Sequence, residues 1–380
     1  MSISQRQQIT IVTTSFPISG DGSEAAGSFV LDLAHEMITQ NISVHIVAPG
    51  VKYEVSEINQ FIHVYRFPAP KKAISTLKPW ILNDLIWLIR IIYSGKMVLK
   101  YAAKDSTLII ALWALPCGEW ARQVAKQLNT PYSVWMLGSD IWSLKKIPLV
   151  KYLLAYVIQN AKHAYADGYQ LAKDATEISD RKIEFLPTTR EIDCSLSVSA
   201  PNQKPPFSLV FIGRWHINKG IDILLDSLEI LTRDDWKLIK TIEIYGGGPL
   251  HQLVYQKVEK LKKNGAPIIL GGYLNKTKSI SVIQQADYIL IPSRIESIPL
   301  IFSDSMKLNR PVICMPTGDL PKLLSEGNCG ILSTEISAIA FASAIQNALR
   351  KSPISYSQGV KKQAEKFILS NIVKRLINNE

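Results

Sequence analysis

The chain has 380 residues, which predicts two to three domains at about 150 residues each. With 47% apolar and 20% charged residues, and only 20 glycines and 20 prolines, disorder and collagen-like or low-complexity states are excluded. A net charge of +11 points to anionic partners.

The chain opens with QITIVTTSFP, a buried-strand run ended by a proline turn, then a loop, ISGDGSEAAG. The run SFVLDLAHEMITQ has helical spacing, and ISVHIVAP reads as a second strand, so the order is strand–helix–strand and the sheet parallel. Further strands are predicted at STLIIALW, PYSVWMLG, HAYADG and KIEFLPT. Residues 195–207, polar and proline-bearing, read as a linker. Alternation then restarts with SLVFIGR, IDILLDSLEIL, KTIEIYGGG, LVYQKVEKLKKN, PIILGGY, SISVIQQA, DYILIPS, RPVICMP and AIAFASAIQNAL. The last twenty residues read as one amphipathic helix. The expected division is 1–200, 201–360 and a C-terminal helix, 361–380, packing back toward the first domain, with a cleft between the two α/β halves.

Four cysteines (Cys117, Cys194, Cys314, Cys329) lack CxxC spacing, which favours a reduced, cytoplasmic compartment over a disulfide framework. The first twenty residues lack the basic-then-apolar pattern of a signal peptide. No run of about 18 apolar residues predicts a spanning helix.

Three segments carry chemistry. In FIGRWHINKG a strand ends at Gly213, and Arg214 and Lys219 follow in one loop before Gly220 and a helix. Ligands of open α/β sheets sit outside the carboxyl ends of the strands, where two cations can grip a diphosphate. Two solvated loop bases are the alternative. In IYGGGPL three glycines between a strand and a helix allow close backbone approach to an anion; Gly27, before the first helix, offers the same geometry. Each is also compatible with an ordinary tight turn. In PSRIESIPLIFSDSM, Glu296 on a loop and Asp304 on the following helix can face one pocket and accept bonds from sugar and ribose hydroxyls. Helix-start carboxylates stabilised by the macrodipole are the other reading.

Together these segments resemble the retaining glycosyltransferases of family 4, whose GT-B fold has two facing Rossmann-like domains. The family's G-R-x-x-x-x-K-G stretch is matched by Gly213, Arg214, Lys219 and Gly220, which implies that Arg214 and Lys219 bind the donor diphosphate. Its G-x-G-P turn is matched by Gly246, Gly248 and Pro249. Its E-x7-E motif is met by Glu296 and, in place of the second glutamate, Asp304; by this resemblance Glu296 contacts the donor sugar, Asp304 the ribose, and the backbone at Ile298, Pro299 and Leu300 lines the sugar site. GGYL, with Tyr273 and Leu274, is similar to the loop that holds the base. In the first half, Gly27 stands where backbone approaches donor or acceptor, and WMLGSDIW is similar to the H-G-x-D segment at Gly138 and Asp140. Leu137 stands in place of the family's frequent histidine, and Ser297 in place of a common glycine.

The resemblance implies transfer with retention from a nucleotide-diphosphate sugar, UDP favoured over GDP, to a glycan or lipid-linked acceptor in cell-surface polysaccharide synthesis. No cofactor is expected. There is no D-x-D pair and the six histidines are scattered, so no metal is expected, and Arg214 and Lys219 take over charge neutralisation. The rival reading is a GT-B relative that binds nucleotide sugars or acts as a scaffold, which Leu137 and Asp304 keep open. Finally, residues 71–162 carry 13 Lys and Arg against 4 Asp and Glu, with six of the eight tryptophans. Within this stretch 79–104 and 143–162 are apolar and basic, which raises peripheral contact with a membrane on the cytoplasmic side; packing helices are the alternative. No nucleic-acid recognition motif accompanies the basic charge, and no nucleic-acid partner is expected.

Overall fold

The structure, a computed structural model, describes residues 6–17, 27–70, 74, 77–142, 144, 147–192 and 200–378. The loop 18–26, Cys194 and the 195–199 part of the linker lie outside these residues. The chain divides into two units, Met1–Glu191 with Leu369–Glu380, and Ile192–Ile368.

Unit 1 is built on eight strands: β1 Gln7–Val12, β2 Ile42–Gly50, β3 Glu54–Asn59, β4 Ile62–Pro68, β5 Leu108–Leu112, β6 Tyr132–Met136, β7 His163–Ala166 and β8 Glu184–Phe185. Their order is β3-β4-β2-β1-β5-β6-β7-β8, and every neighbour pair is parallel except β3–β4. Central strands are buried on both faces because helices cover both. In β5, Leu108, Ile110 and Leu112 face the layer formed by the helices Ser28–Thr39 and Leu369–Asn378. Ile109 and Ala111 face the layer of Leu82–Ala102, Glu119–Leu128, Pro148–Asn160 and Tyr169–Ser179. The tryptophans of the basic stretch are largely core: Trp120 and Trp135 are buried, Trp87, Trp113 and Trp142 partly so, and Trp80 alone of the six is exposed.

Unit 2 has six parallel strands: β9 Phe207–Arg214, β10 Ile239–Gly247, β11 Ile268–Gly271, β12 Tyr288–Ile291, β13 Val312–Cys314 and β14 Gly330–Leu332. The order β11-β10-β9-β12-β13-β14 reverses direction between β9 and β12. That reversal is the topological switch point, and ligands of open parallel sheets bind there, outside the carboxyl ends of the strands.

The single C-terminal helix expected over 361–380 is instead divided into Ser357–Ala364, a 3₁₀ turn at Glu365–Phe367 and Leu369–Asn378, with extended backbone at Ile368. Its apolar residues serve two cores, which one straight rod cannot do. Phe367 packs edge-on against Phe302 in unit 2, ring centroids 5.9 Å apart, whereas Leu369, Ile372, Val373 and Leu376 join a core layer of unit 1.

Leu376 is fully buried. Leu376→Ala is therefore expected to destabilise unit 1 by about 3 kcal/mol through lost burial and a cavity. In urea titration followed by segment-resolved hydrogen exchange, amides of β1 and β5 lose protection while those of β9 and β12 keep it.

Candidate functional site

The candidate site of unit 2 is assembled from the loops that follow β9 and β12. Arg214, the last residue of β9, is exposed, and its guanidinium has no carboxylate partner among the described residues. Past it the chain makes a 3₁₀ turn, Ile217–Lys219, capped by the His216 side chain accepting from the Asn218 amide at 3.1 Å. Gly220 then enters the helix Ile221–Ile230 at φ 68°; a Cβ there would lie 1.8 Å from the carbonyl oxygen of Pro292. Only glycine permits this approach between the two loops.

The approach brings together residues far apart in sequence. Lys219 Nζ and a carboxylate oxygen of Glu296, 77 positions away, form an ion pair. Behind it Arg294 grips both oxygens of Asp222, at 2.8 and 2.6 Å, and donates to the Ile217 carbonyl at 2.6 Å. The Arg294 amide donates to the Asn218 carbonyl at 2.8 Å. Neither Arg294 nor Asp222 stands out in the sequence, because each reads as a loop or helix-start charge; their signal is the reach of a forked guanidinium to a carboxylate on the facing loop. Burial drives the Asp222 carboxyl upward, but the Arg294 bonds and charge outweigh it, and the group titrates below the ordinary aspartate value. Gly318, also unmarked in the sequence, closes the far side at φ 54°, where a Cβ would meet the Glu296 carbonyl at 2.1 Å.

The glycine turn borders Arg214 in register, Gly246 opposite Gly213 and Gly247 opposite Arg214. Buried Trp215 fixes it: its amide donates to the Gly247 carbonyl at 2.8 Å and its carbonyl accepts from Leu250 at 3.0 Å. Gly248, at φ 147°, lies against the Trp215 backbone, and the exposed Tyr273 donates its hydroxyl to the Gly247 carbonyl at 2.7 Å, with Leu274 next to it half-buried. Ile298 and Pro299 are buried and Leu300 starts the helix Leu300–Lys307. Asp304 differs from expectation: it is 0% exposed, whereas Glu296 keeps partial exposure, so the two carboxylates do not share a solvent-facing wall. The cause is position, since the helix is buried on all its faces from Phe302 to Met306.

In unit 1, Gly27 caps the helix Ser28–Thr39 at φ 69° beside the Ser15 carbonyl. Asp140 is turned to backbone rather than to an acceptor: one oxygen accepts from Ala114 at 2.6 Å and the other from Gly138 at 3.1 Å. Burial pushes its carboxyl up to about 6 against the pull of these bonds. The clamp ties the loop after β5 to the loop after β6, next to Trp113, whose φ of 72° is a strained value for a bulky side chain. Among the described residues no three His, Cys, Asp or Glu side chains gather as a metal would require.

The Arg294–Asp222 fork yields a pH-dependent prediction. Because the folded Asp222 carboxyl titrates below the unfolded value of about 3.9, its stabilisation is complete above that pH and is lost as pH falls through the folded pKa. Arg294→Gln is expected to cost about 2 kcal/mol at pH 7. Chemical denaturation across pH should show the wild-type and variant curves converging as pH falls through and below the folded carboxyl's pKa.

The chain is similar to known proteins in both sequence and fold. Residues 206–351 match the family model described as glycosyl transferases group 1. An uncharacterized glycosyltransferase of Methanocaldococcus jannaschii is 24% identical over 298 residues, covering 77% of this chain and 76% of that protein. An uncharacterized protein of the cps region of Klebsiella pneumoniae is 28% identical over 219 residues, 54% of this chain and 57% of its own length. Among solved structures, Anabaena HepE in complex with UDP and glucose superposes with a TM-score of 0.66 at 14% identity, over 98% of this chain and 99% of that one. Unit 2 thus resembles the glycosyl transferases group 1 family over residues 206–351, and the chain as a whole has the GT-B fold of its structural neighbours.

Proposed function

We propose that the protein is a retaining, metal-independent glycosyltransferase that moves a sugar from a nucleotide-diphosphate donor to a hydroxyl of a glycan or lipid-linked acceptor in cell-surface polysaccharide synthesis. The observation that carries this reading is the Lys219–Glu296 ion pair at the β9–β12 switch point, with exposed Arg214 at the end of β9. Two cations there neutralise a leaving diphosphate, a task metals perform in other transferases. Glu296 sits beside Lys219 to accept bonds from the donor sugar, and the backbone at Ile298–Leu300 leads into the helix Leu300–Lys307, whose first-turn amides add a positive helix end.

In the proposed reaction the acceptor hydroxyl attacks the anomeric carbon from the face that the diphosphate leaves. The bond from that carbon to the phosphate oxygen breaks, and the hydroxyl proton passes to a phosphate oxygen. The protein's task is orientation and charge stabilisation, which needs no protein nucleophile. Tyr273 and Leu274 are assigned to the base, with uridine favoured, the base of the ligand that HepE carries. Fully buried Asp304 acts from beneath, packing the helix that presents the sugar-binding amides, rather than as a direct ribose ligand. The polysaccharide assignment draws on the cps-region relative.

Titration calorimetry with UDP, GDP and their sugars, in EDTA, tests the reading. Saturable UDP binding is expected, weakened about tenfold or more in Lys219→Ala. Glu296→Gln, which releases Lys219 from its carboxylate partner, keeps nucleotide affinity within about threefold and lowers transfer at least about 100-fold. Absence of binding by any nucleotide overturns the proposal. Binding of a nucleotide sugar without transfer to acceptor or water would favour the scaffold reading that Leu137 keeps open.

A further inference from the structure

The helix Leu82–Ala102 buries one stripe, including Ile91, Leu99 and Ala102, against the sheet of unit 1. Its opposite stripe is apolar as well. Leu82, Ile86, Ile89, Ile92, Tyr93 and Met97 are each between 51% and 73% exposed. A helix on the outside of a water-soluble domain carries polar residues on that face. Pro148–Asn160 belongs to the same helical layer and repeats the pattern, with Leu149 at 83% and Tyr152 at 76%. Trp80, 78% exposed, stands just before the first helix. Single exposed apolar residues need no explanation, but a set running along two helices does.

The exposed charge on these two helices and their flanks, residues 78–104 and 147–162, has one sign. Lys78, Arg90, Lys100, Lys104 and Lys151 are exposed. The only carboxylate from 78 to 104 is Asp84, which is buried and accepts from the Lys78 amide at 3.0 Å; residues 147–162 contain none. Beyond Met97 the apolar surface continues into a groove of about 300 Å³ whose lining includes Tyr53, Val55, Tyr65 and Tyr101, with one carboxylate, Glu54, and one cation, Arg66, at it. A second copy of this chain would set these cations against themselves across a two-fold axis. An anionic bilayer instead satisfies each component: the acyl boundary takes the aliphatic side chains, the headgroup level the Tyr and Trp rings, and lipid phosphates the Lys and Arg.

We propose that this face, formed by Leu82–Ala102 and Pro148–Asn160, docks unit 1 on an anionic membrane surface. No described helix is long and apolar enough to cross a membrane, so the contact is peripheral. Docking is independent of donor binding in unit 2, and its test reads the surface whether or not a nucleotide binds.

Flotation of the full chain with vesicles of phosphatidylcholine, alone or with about 30% phosphatidylglycerol, provides that test. Partitioning onto the anionic vesicles is expected to be at least tenfold stronger and to fall with added salt. Ile89→Glu with Ile92→Glu, both at exposed positions, should abolish it while circular dichroism stays unchanged. Lys100→Gln and Lys104→Gln should each weaken anionic binding about fivefold. Wild-type protein that stays unbound on both vesicles overturns the proposal. So does equal partitioning of wild type and the double glutamate variant, or a dimer in sedimentation that the glutamates dissolve without any vesicle binding.

Discussion

The candidate site depends on one steric permission, the missing side chain of Gly220. With the Pro292 carbonyl 1.8 Å from where a Cβ would stand, the loops after β9 and β12 touch backbone to backbone. The contacts that follow are consequences: the Asn218 carbonyl takes the Arg294 amide, Arg294 reaches back to Asp222 and Ile217, and Lys219 meets Glu296. A parallel sheet whose strand order reverses between β9 and β12 creates the crevice there, and the glycine lets its rim be narrow. Any larger residue would separate the cation from the carboxylate.

Unit 1 is held at its corresponding place by different means. Its sheet also reverses, between β1 and β5, and the loops there are tied by a carboxylate receiving backbone amides, Asp140 with Ala114 and Gly138. A buried carboxylate with backbone donors is costly to desolvate, which is why its pKa rises to about 6 in spite of those bonds. The arrangement orients the strained Trp113 and leaves Asp140 itself no face to offer a substrate. Its place in the family-like segment is thus explained by loop geometry in this molecule.

The parallel sheets were legible because buried strands read as unbroken apolar runs, as in STLIIALW and DYILIPS, alternating with helical spacing. Lys219 and Glu296 were each legible as a charged residue on a loop after a strand, and the resemblance gave them roles; neither residue's neighbours predict an ion pair across 77 positions. Arg294, Asp222 and Gly318 were illegible for a physical reason: a fork or a positive φ is a property of where two loops meet, which no single segment encodes. The antiparallel β3, with every residue exposed, has no buried face to imprint on its sequence. The C-terminal segment misled because its spacing is helical on both sides of Ile368, and only the assignment of Phe367 and Leu369 to different cores shows the break.

The Lys219–Glu296 pair also bears on how a donor site of this kind would operate. Lys219 retains 36% side-chain exposure and Glu296 15%, so water screens the attraction and the pair itself stabilises the unit by about 1 kcal/mol or less. That is too little to hold the loops together, a role the Arg294–Asp222 fork and the backbone contacts already fill. It is enough to keep two long side chains in one place. A ligand bearing a diphosphate therefore meets an ammonium already positioned, loses little in displacing its partner, and gains a second cation in Arg214. In the proposed donor complex the carboxylate so released would be left to bond the sugar that the diphosphate carries, so one exchange of partners would set both charges to their separate tasks.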